Sequence, residues 1–174
     1  MPMSLYQASL APCLQMLDAL SAVLSKAASY AAERGIEPSV LLQSRLYPDM
    51  LPLVRQVQIA TDGAKAGGAR LAGVDNPSFP DTEASFDELQ ARIARCVSFL
   101  RSLDRDAIDA ASERRIEFSV AKQAMVMMAP EYISGWMLPN FFFHVTTAFD
   151  ILRHNGLAVG KRDFLGAVPL VASA

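Results

Sequence analysis

Leu138-Pro139-Asn140-Phe141-Phe142-Phe143-His144-Val145-Thr146-Thr147-Ala148-Phe149-Asp150-Ile151-Leu152-Arg153-His154-Asn155-Gly156 is the stretch whose reading decides the fold. It reads as the body of one long helix that Gly156 stops. Phe141, Val145, Ala148 and Leu152 form one apolar stripe, and Phe142 and Phe149 lie on another face. A helix apolar on more than one face is expected to be buried on several sides. Asn140, His144 and Thr147 follow the helical i, i+4, i+7 spacing, so three polar side chains turn towards the interior together.

Upstream, this helix starts at Pro130-Glu131, with proline in the first turn and an acid beside the helix N-terminus, both favourable there. It runs over about 130–155, and Pro139, which lacks an N–H, is expected to kink it just before Asn140. Three further helices are predicted. The first covers about 4–32, from the repeat of Leu10, Leu14, Leu17, Leu24, Ala28 and Ala31, with Pro12 in a first turn or at a kink. The second covers about 38–65, on the stripe Leu42, Leu46, Met50, Leu53, Val57, Ala60 and Ala64; Pro48 and Pro52 predict a bend near Tyr47–Leu53. The third covers about 85–104. There Ser85 and Glu88 form a capping box, and Phe86, Leu89, Ile93, Cys96, Val97, Leu100 and Leu103 repeat with helical period.

Between helices two and three, Gly67-Gly68, Gly73, Asn76-Pro77 and Phe79-Pro80-Asp81 read as a loop over 67–82. No strand precedes these glycines and their spacing is not that of a phosphate loop, so they read as breakers. Over about 114–128 the period changes: Ile116, Phe118 and Val120 alternate with polar residues, then Ala121-Lys122-Gln123 turns the chain towards Met125-Val126-Met127-Met128. This predicts a short β-hairpin. The methionines read as adaptable packing. The whole chain, 1–174, is read as a single helical domain.

Composition narrows the function classes. The 174 residues carry a net charge of −2, so no field for polyanions is implied. The Phe141–Phe143 run lacks interleaved Lys and Arg, and no nucleic-acid partner is expected. No run approaches the ~18 uncharged apolar residues of a membrane span. The N-terminus lacks a basic region and Asp18 interrupts its apolar stretch, against a signal peptide. Cys13 and Cys96 fall on apolar stripes of separate helices and read as buried free thiols in a reducing cytoplasm.

With the helix order set, the chain resembles the DinB/YfiT-like superfamily of four-helix bundles, and within it a domain-of-unknown-function family. The segments that carry the resemblance are Arg45-Leu46-Tyr47-Pro48-Asp49-Met50-Leu51-Pro52-Leu53-Val54-Arg55-Gln56-Val57, the 138–156 stretch, and Gly160-Lys161-Arg162-Asp163-Phe164. The fold class this implies is all-α, a four-helix bundle with a hairpin between helices three and four. Many members of the superfamily are read as metalloenzymes or thiol-dependent transferases. Metal-binding members use one histidine on the second helix and a His-x-x-x-His pair on the last.

Here His144 matches the first of that pair, Ala148 stands four positions later, and helix two has no histidine. His154 lies ~15 Å further along a regular helix and ~80° round it, too far to share an ion with His144. The three-histidine site is therefore read as degenerate; no metal and no cofactor are expected. A rebuilt metal site from His144, Asp49 and Gln56, serving a transferase or hydrolase, is the outside alternative.

Two readings of the polar cluster stay open. In one, His144 is a core imidazole bonded to Asp49 or to a carbonyl freed by Pro48 or Pro52. In the other, Arg45, Asp49, Gln56, Asn140, His144 and Thr147 line a ligand pocket. The favoured function is a bundle that binds a small ligand or a partner as a homodimer through an apolar helix face. The alternative is a metal-independent enzyme with His144 as general base and Asp49 orienting it. Arg45 and Asp49 also read as an i, i+4 ion pair at the bend. His154 reads as a partner for the helix C-terminal dipole.

Overall fold

The computed structural model describes residues 3–168. The protein is mostly helical with one two-stranded antiparallel sheet. Helix α1 (Leu5–Arg34) opens on a capping box: Ser4 accepts from the Gln7 amide and the Gln7 side chain accepts from the Ser4 amide. Pro12 sits inside α1, which nevertheless continues to Gly35. By length and composition α1 is apolar enough to cross a membrane, with a mean hydropathy of 1.3 over eighteen residues. Asp18 falls inside any eighteen-residue window of this helix, so it is not the uncharged apolar run that the sequence lacks. Half of that window is buried inside this fold, where Leu10, Leu17, Leu20 and Leu24 supply core.

The predicted second helix is two helices. A short α2 (Pro38–Leu42) is followed by irregular chain, and α3 (Leu53–Ala72) begins after Pro52. The expected bend is thus a complete break. Pro48 and Pro52 both lack the amide that a continuous helix needs, and the Leu53 amide instead donates to the Ser44 carbonyl at 3.0 Å, closing 44–53 into a compact loop.

At its other end α3 runs straight through Gly67-Gly68, which the sequence assigned to a loop, and stops at Gly73 in the left-handed conformation. The physical reason is close packing. A Cβ at Gly67 would stand 2.6 Å from Met137 Sδ, and one at Gly68 would stand 2.7 Å from Leu100 Cδ2. The glycines let neighbouring helices approach α3, and their backbone stays helical.

Helix α4 (Phe86–Ser102) carries the Ser85–Glu88 capping box. After α5 (Arg105–Asp109) and a 3₁₀ turn (Ala110–Glu113), strands β1 (Arg115–Val120) and β2 (Gln123–Met128) pair one to one, from Arg115 opposite Met128 to Val120 opposite Gln123. Ala121 and Lys122 both take positive φ, the two-residue turn whose twist matches a hairpin. β1 turns Ile116 and Phe118 into the core, where Phe118 meets Tyr132 edge-on.

The last long helix forms in three pieces: α6 (Ala129–Tyr132), a π-helical segment (Ile133–Met137), and α7 (Leu138–His154). The distortion expected from Pro139 is this wide turn. It absorbs the missing N–H of a proline placed in the first turn of α7. A final α8 (Lys161–Leu165) lies against α1. Helix α3 packs on both α7 and α4, and α1 packs on α4 and α7, so one core runs through Leu17, Leu24, Val57, Leu71, Leu89, Ile93, Phe141 and Ile151.

Candidate functional site

The α3–α7 contact sets the site. Their apolar faces bury Val57, Ala60 and Ala64 of α3 and Phe141, Val145 and Ala148 of α7. With those residues inside, the adjoining polar line of each helix lands at the seam between them. Gln56, 2% exposed, and His144, 9% exposed, meet there, with His144 Nδ1 2.7 Å from Gln56 Oε1.

Gln56 Nε2 in turn donates to the Leu51 carbonyl at 2.9 Å, which fixes the amide's orientation. Gln56 Oε1 is therefore the atom facing the ring, and an amide oxygen only accepts. The proton must sit on Nδ1, which leaves a lone pair on Nε2. No described residue hydrogen-bonds to Nε2. Burial lowers the imidazole's pKa below its ordinary value, because a charged ring would lose hydration there. The site thus holds a neutral imidazole in one tautomer, with Nε2 an acceptor that no described residue engages.

The other expected members divide. Asn140, half-buried, brings its amide against α3 at Gly63, where an added Cβ would lie 3.6 Å from Nδ2. Thr147 is buried, but its hydroxyl donates to the Phe143 carbonyl of its own helix at 2.7 Å. Arg45 and Asp49 belong to the exposed part of the 44–53 loop. Arg45 Nη1 donates to the Met50 carbonyl at 3.0 Å rather than to Asp49.

Asp49 does not orient His144; Gln56 does. The physical reason is the break in helix two, which carries Asp49 away from the seam while Gln56 stays on α3. A core bond from His144 to a carbonyl freed by proline is also replaced: the imidazole reaches the Leu51 carbonyl only through the Gln56 amide.

The superfamily's metal does not fit these residues. Among the described residues no group of three or more His, Cys, Asp or Glu side chains is placed to hold an ion. His144 turns Nδ1 to an amide, and Ala148 occupies the position one turn later. Both thiols are free and buried; burial raises the Cys13 pKa and pushes that of Cys96 up to about 12, so neither offers a thiolate near neutrality.

A second polar cluster escaped the sequence reading. Arg92 of α4 has a side chain only 2% exposed, and its Nε donates to Thr61 Oγ1 at 2.8 Å. Its Nη1 donates to the Pro80 carbonyl at 3.1 Å and to Glu83 Oε1 at 3.1 Å. Nη2 stands 3.0 Å from carboxylate oxygens of both Asp62 and Asp81, contacts that are electrostatic rather than well-directed hydrogen bonds. Lys65, 3% exposed, donates to the Pro77 carbonyl and lies 4.1 Å above the Phe79 ring centre. These groups bind the 74–85 loop to α3 and α4. The available signal was Arg92's spacing, three residues after Leu89 and four before Cys96, on the apolar line of its helix.

A family model, Domain of unknown function (DUF1993), matches residues 5–165. The chain is similar to a crystal structure of a DinB family member protein from Shewanella denitrificans, at 39% sequence identity and a TM-score of 0.89, over 97% of this chain and 96% of that one. No curated protein matches it. The family match spans the core helices, the hairpin and the α3–α7 seam alike, and the chain belongs to the DUF1993 family, with the DinB-like fold of that relative.

Proposed function

We propose that this protein is a DinB-type four-helix bundle in which the three-histidine metal site has been replaced by a small-ligand site centred on His144, and that it works as a homodimer. One observation carries the reading: the Leu51–Gln56–His144 chain of hydrogen bonds engages the Nδ1 proton internally and leaves Nε2 as an acceptor with no partner among the described residues. Such an atom accepts a hydrogen bond from an N–H or O–H of a bound molecule. Asn140, on the same face of α7, adds an amide that both donates and accepts. A second reading, a metal-independent enzyme with His144 as general base, draws on the same neutral imidazole. It is less well supported, because no carboxylate contacts the ring among the described residues.

A fragment library screened by NMR on the ¹⁵N-labelled protein tests the proposal. The expected result is a set of N–H or O–H fragments that shift His144 Nε2 and the Asn140 side-chain amide, with both responses lost in His144→Ala. Fragments that bind only elsewhere, or that bind His144→Ala equally well, would overturn it. Stoichiometric zinc or nickel in protein purified without a chelating tag would overturn the metal-free part.

A further inference from the structure

The hairpin has one guarded edge and one open edge. In a two-residue hairpin the pair closing the turn, Val120 and Gln123, exchanges both backbone hydrogen bonds, and bonded pairs then alternate along the ladder. Phe118–Met125 and Ile116–Met127 are therefore bonded pairs too. The backbone N–H and C=O groups of the remaining residues point away from the partner strand. On β1 these are Arg115, Glu117 and Ser119; on β2 they are Ala124, Val126 and Met128. On that outer edge the Met128 carbonyl is taken up by the first turn of α6, which Met128 caps, while no described residue hydrogen-bonds to the backbone of Ala124 or Val126.

Edge strands are ordinarily protected by charge, proline or a bulge. β1 has Arg115 and Glu117 on its edge positions. β2 has none of these: Gln123 to Met128 carries no charge and no proline, and the register is unbroken. It is also apolar on both faces. Val126 is 49% and Met128 is 40% exposed on the outer face, while Met125 remains 39% exposed on the face that β1 turns to the core.

We infer that β2 is a self-association surface, an inference that rests on the homodimer proposed above, and that two copies of this chain pair their β2 edges antiparallel about a two-fold axis to make a four-stranded sheet. Charge selects the occupant. A two-fold axis through the Val126 pair sets β2 against its own copy, Ala124 facing the partner copy's Met128, which a strand bearing net charge could not do without repulsion. The nearest charges, on β1, end up on the outer strands. Glu117 and its copy are then three strand spacings of ~4.8 Å apart, beyond the ~8 Å screening length at physiological salt. A foreign strand would be chosen by charges opposite to those of β2, and β2 offers none to read.

The test is sedimentation velocity on the full chain, with hydrogen exchange read at Ala124, Val126 and Met128. The wild type is expected to sediment as a dimer and to protect those amides increasingly with concentration. Val126→Lys is expected to sediment as a monomer with unchanged helical circular dichroism. Phe143→Lys, altering an exposed side chain of α7, is expected to stay dimeric. A wild-type monomer across the micromolar range would overturn the inference, as would a Val126→Lys dimer or loss of the dimer in Phe143→Lys alone. Should Val126→Lys fail to fold, the wild-type exchange decides: protection at these amides that does not change on dilution overturns the pairing.

Discussion

The amide oxygen of Gln56 stands 2.7 Å from Nδ1 of His144, so a neutral acceptor rather than a carboxylate sets the state of the ring. That choice matters chemically, because an amide fixes the tautomer without stabilising the imidazolium. Gln56→Glu replaces it with an anion of the same length. The His144 pKa is then expected to rise, because an opposite charge at contact distance favours the imidazolium. The Leu51 carbonyl loses its donor in the same variant, so amides of the 44–53 loop should exchange faster. An NMR titration of the His144 ring checks the first effect and hydrogen exchange the second. An unchanged pKa would mean that Gln56 does not face the ring in solution.

Stability should depend on pH through the same ring. The folded pKa of His144 lies below its unfolded value of about 6.5, because burial disfavours the charged form. Between the two values the unfolded chain takes up a proton that the folded chain refuses. The stabilising contribution is therefore complete above about pH 6.5 and is lost as pH falls through the window down to the folded value. The acids act in a separate range. For Asp81 and Glu83 burial pushes the pKa up, but Arg55 and Arg92 on Asp81, and Gln58 and Arg92 on Glu83, outweigh it and hold both below the ordinary carboxylate value. Their contributions are lost only below about pH 4. Thermal melts from pH 7.5 to 5.5 should show Tm falling in the wild type and falling less in His144→Gln. Equal slopes would remove His144 as the cause.

Much of this architecture is visible in local patterns, because periodicity and capping are short-range. Leu89, Ile93, Cys96 and Leu100 announce a buried helix face, and Ser85 with Glu88 announces where that helix begins. Ile116 and Phe118 alternate as a half-buried strand does. What a local pattern cannot carry is the identity of a distant neighbour. Pro48 and Pro52 are compatible with a kink or a break, and the closure of Leu53 onto Ser44 decides between them. Asp49 and Gln56 look equivalent on an unbroken helix, yet only one remains at the seam once the helix is interrupted. A pair of glycines can end a helix or admit another one, and which it does depends on side chains far along the chain.

Gly68 makes that last point measurable. A Cβ there would meet Leu100 Cδ2 at 2.7 Å and Leu103 Cδ1 at 2.8 Å, both on the α4 side of the core. Alanine favours a helix interior over glycine by about 1 kcal/mol. Forcing a methyl group into a filled core costs about 1–3 kcal/mol. Crowding should win, and Gly68→Ala is expected to lower stability by about 1 kcal/mol in urea unfolding. A stabilised variant would show that α4 can move aside, and that Gly68 is not needed for its approach.

Arg92 offers the largest predicted loss. Its guanidinium is almost fully buried and joins Thr61, Pro80, Glu83, Asp62 and Asp81, which lie on α3 and on the loop that follows it. Arg92→Met keeps the aliphatic bulk and removes the cation, leaving Asp62, Asp81 and Glu83 facing one another with less compensating charge. Breaking a buried pair in this way typically costs about 3–5 kcal/mol. Lys26 and Asp163 also form an ion pair, but the Lys26 side chain is 53% exposed, and an exposed pair contributes at most about 1 kcal/mol. Arg92→Met should therefore shift the urea midpoint several times further than Lys26→Met, and should open the 74–85 loop to limited proteolysis. Arg92→Lys should recover only part of the loss, since a single ammonium cannot span contacts that the planar fork reaches together. If Arg92→Met costs no more than Lys26→Met, the loop is held instead by Phe79, whose ring lies between Arg95 at 3.7 Å and Lys65 at 4.1 Å, and Phe79→Ala would then be the variant that releases it.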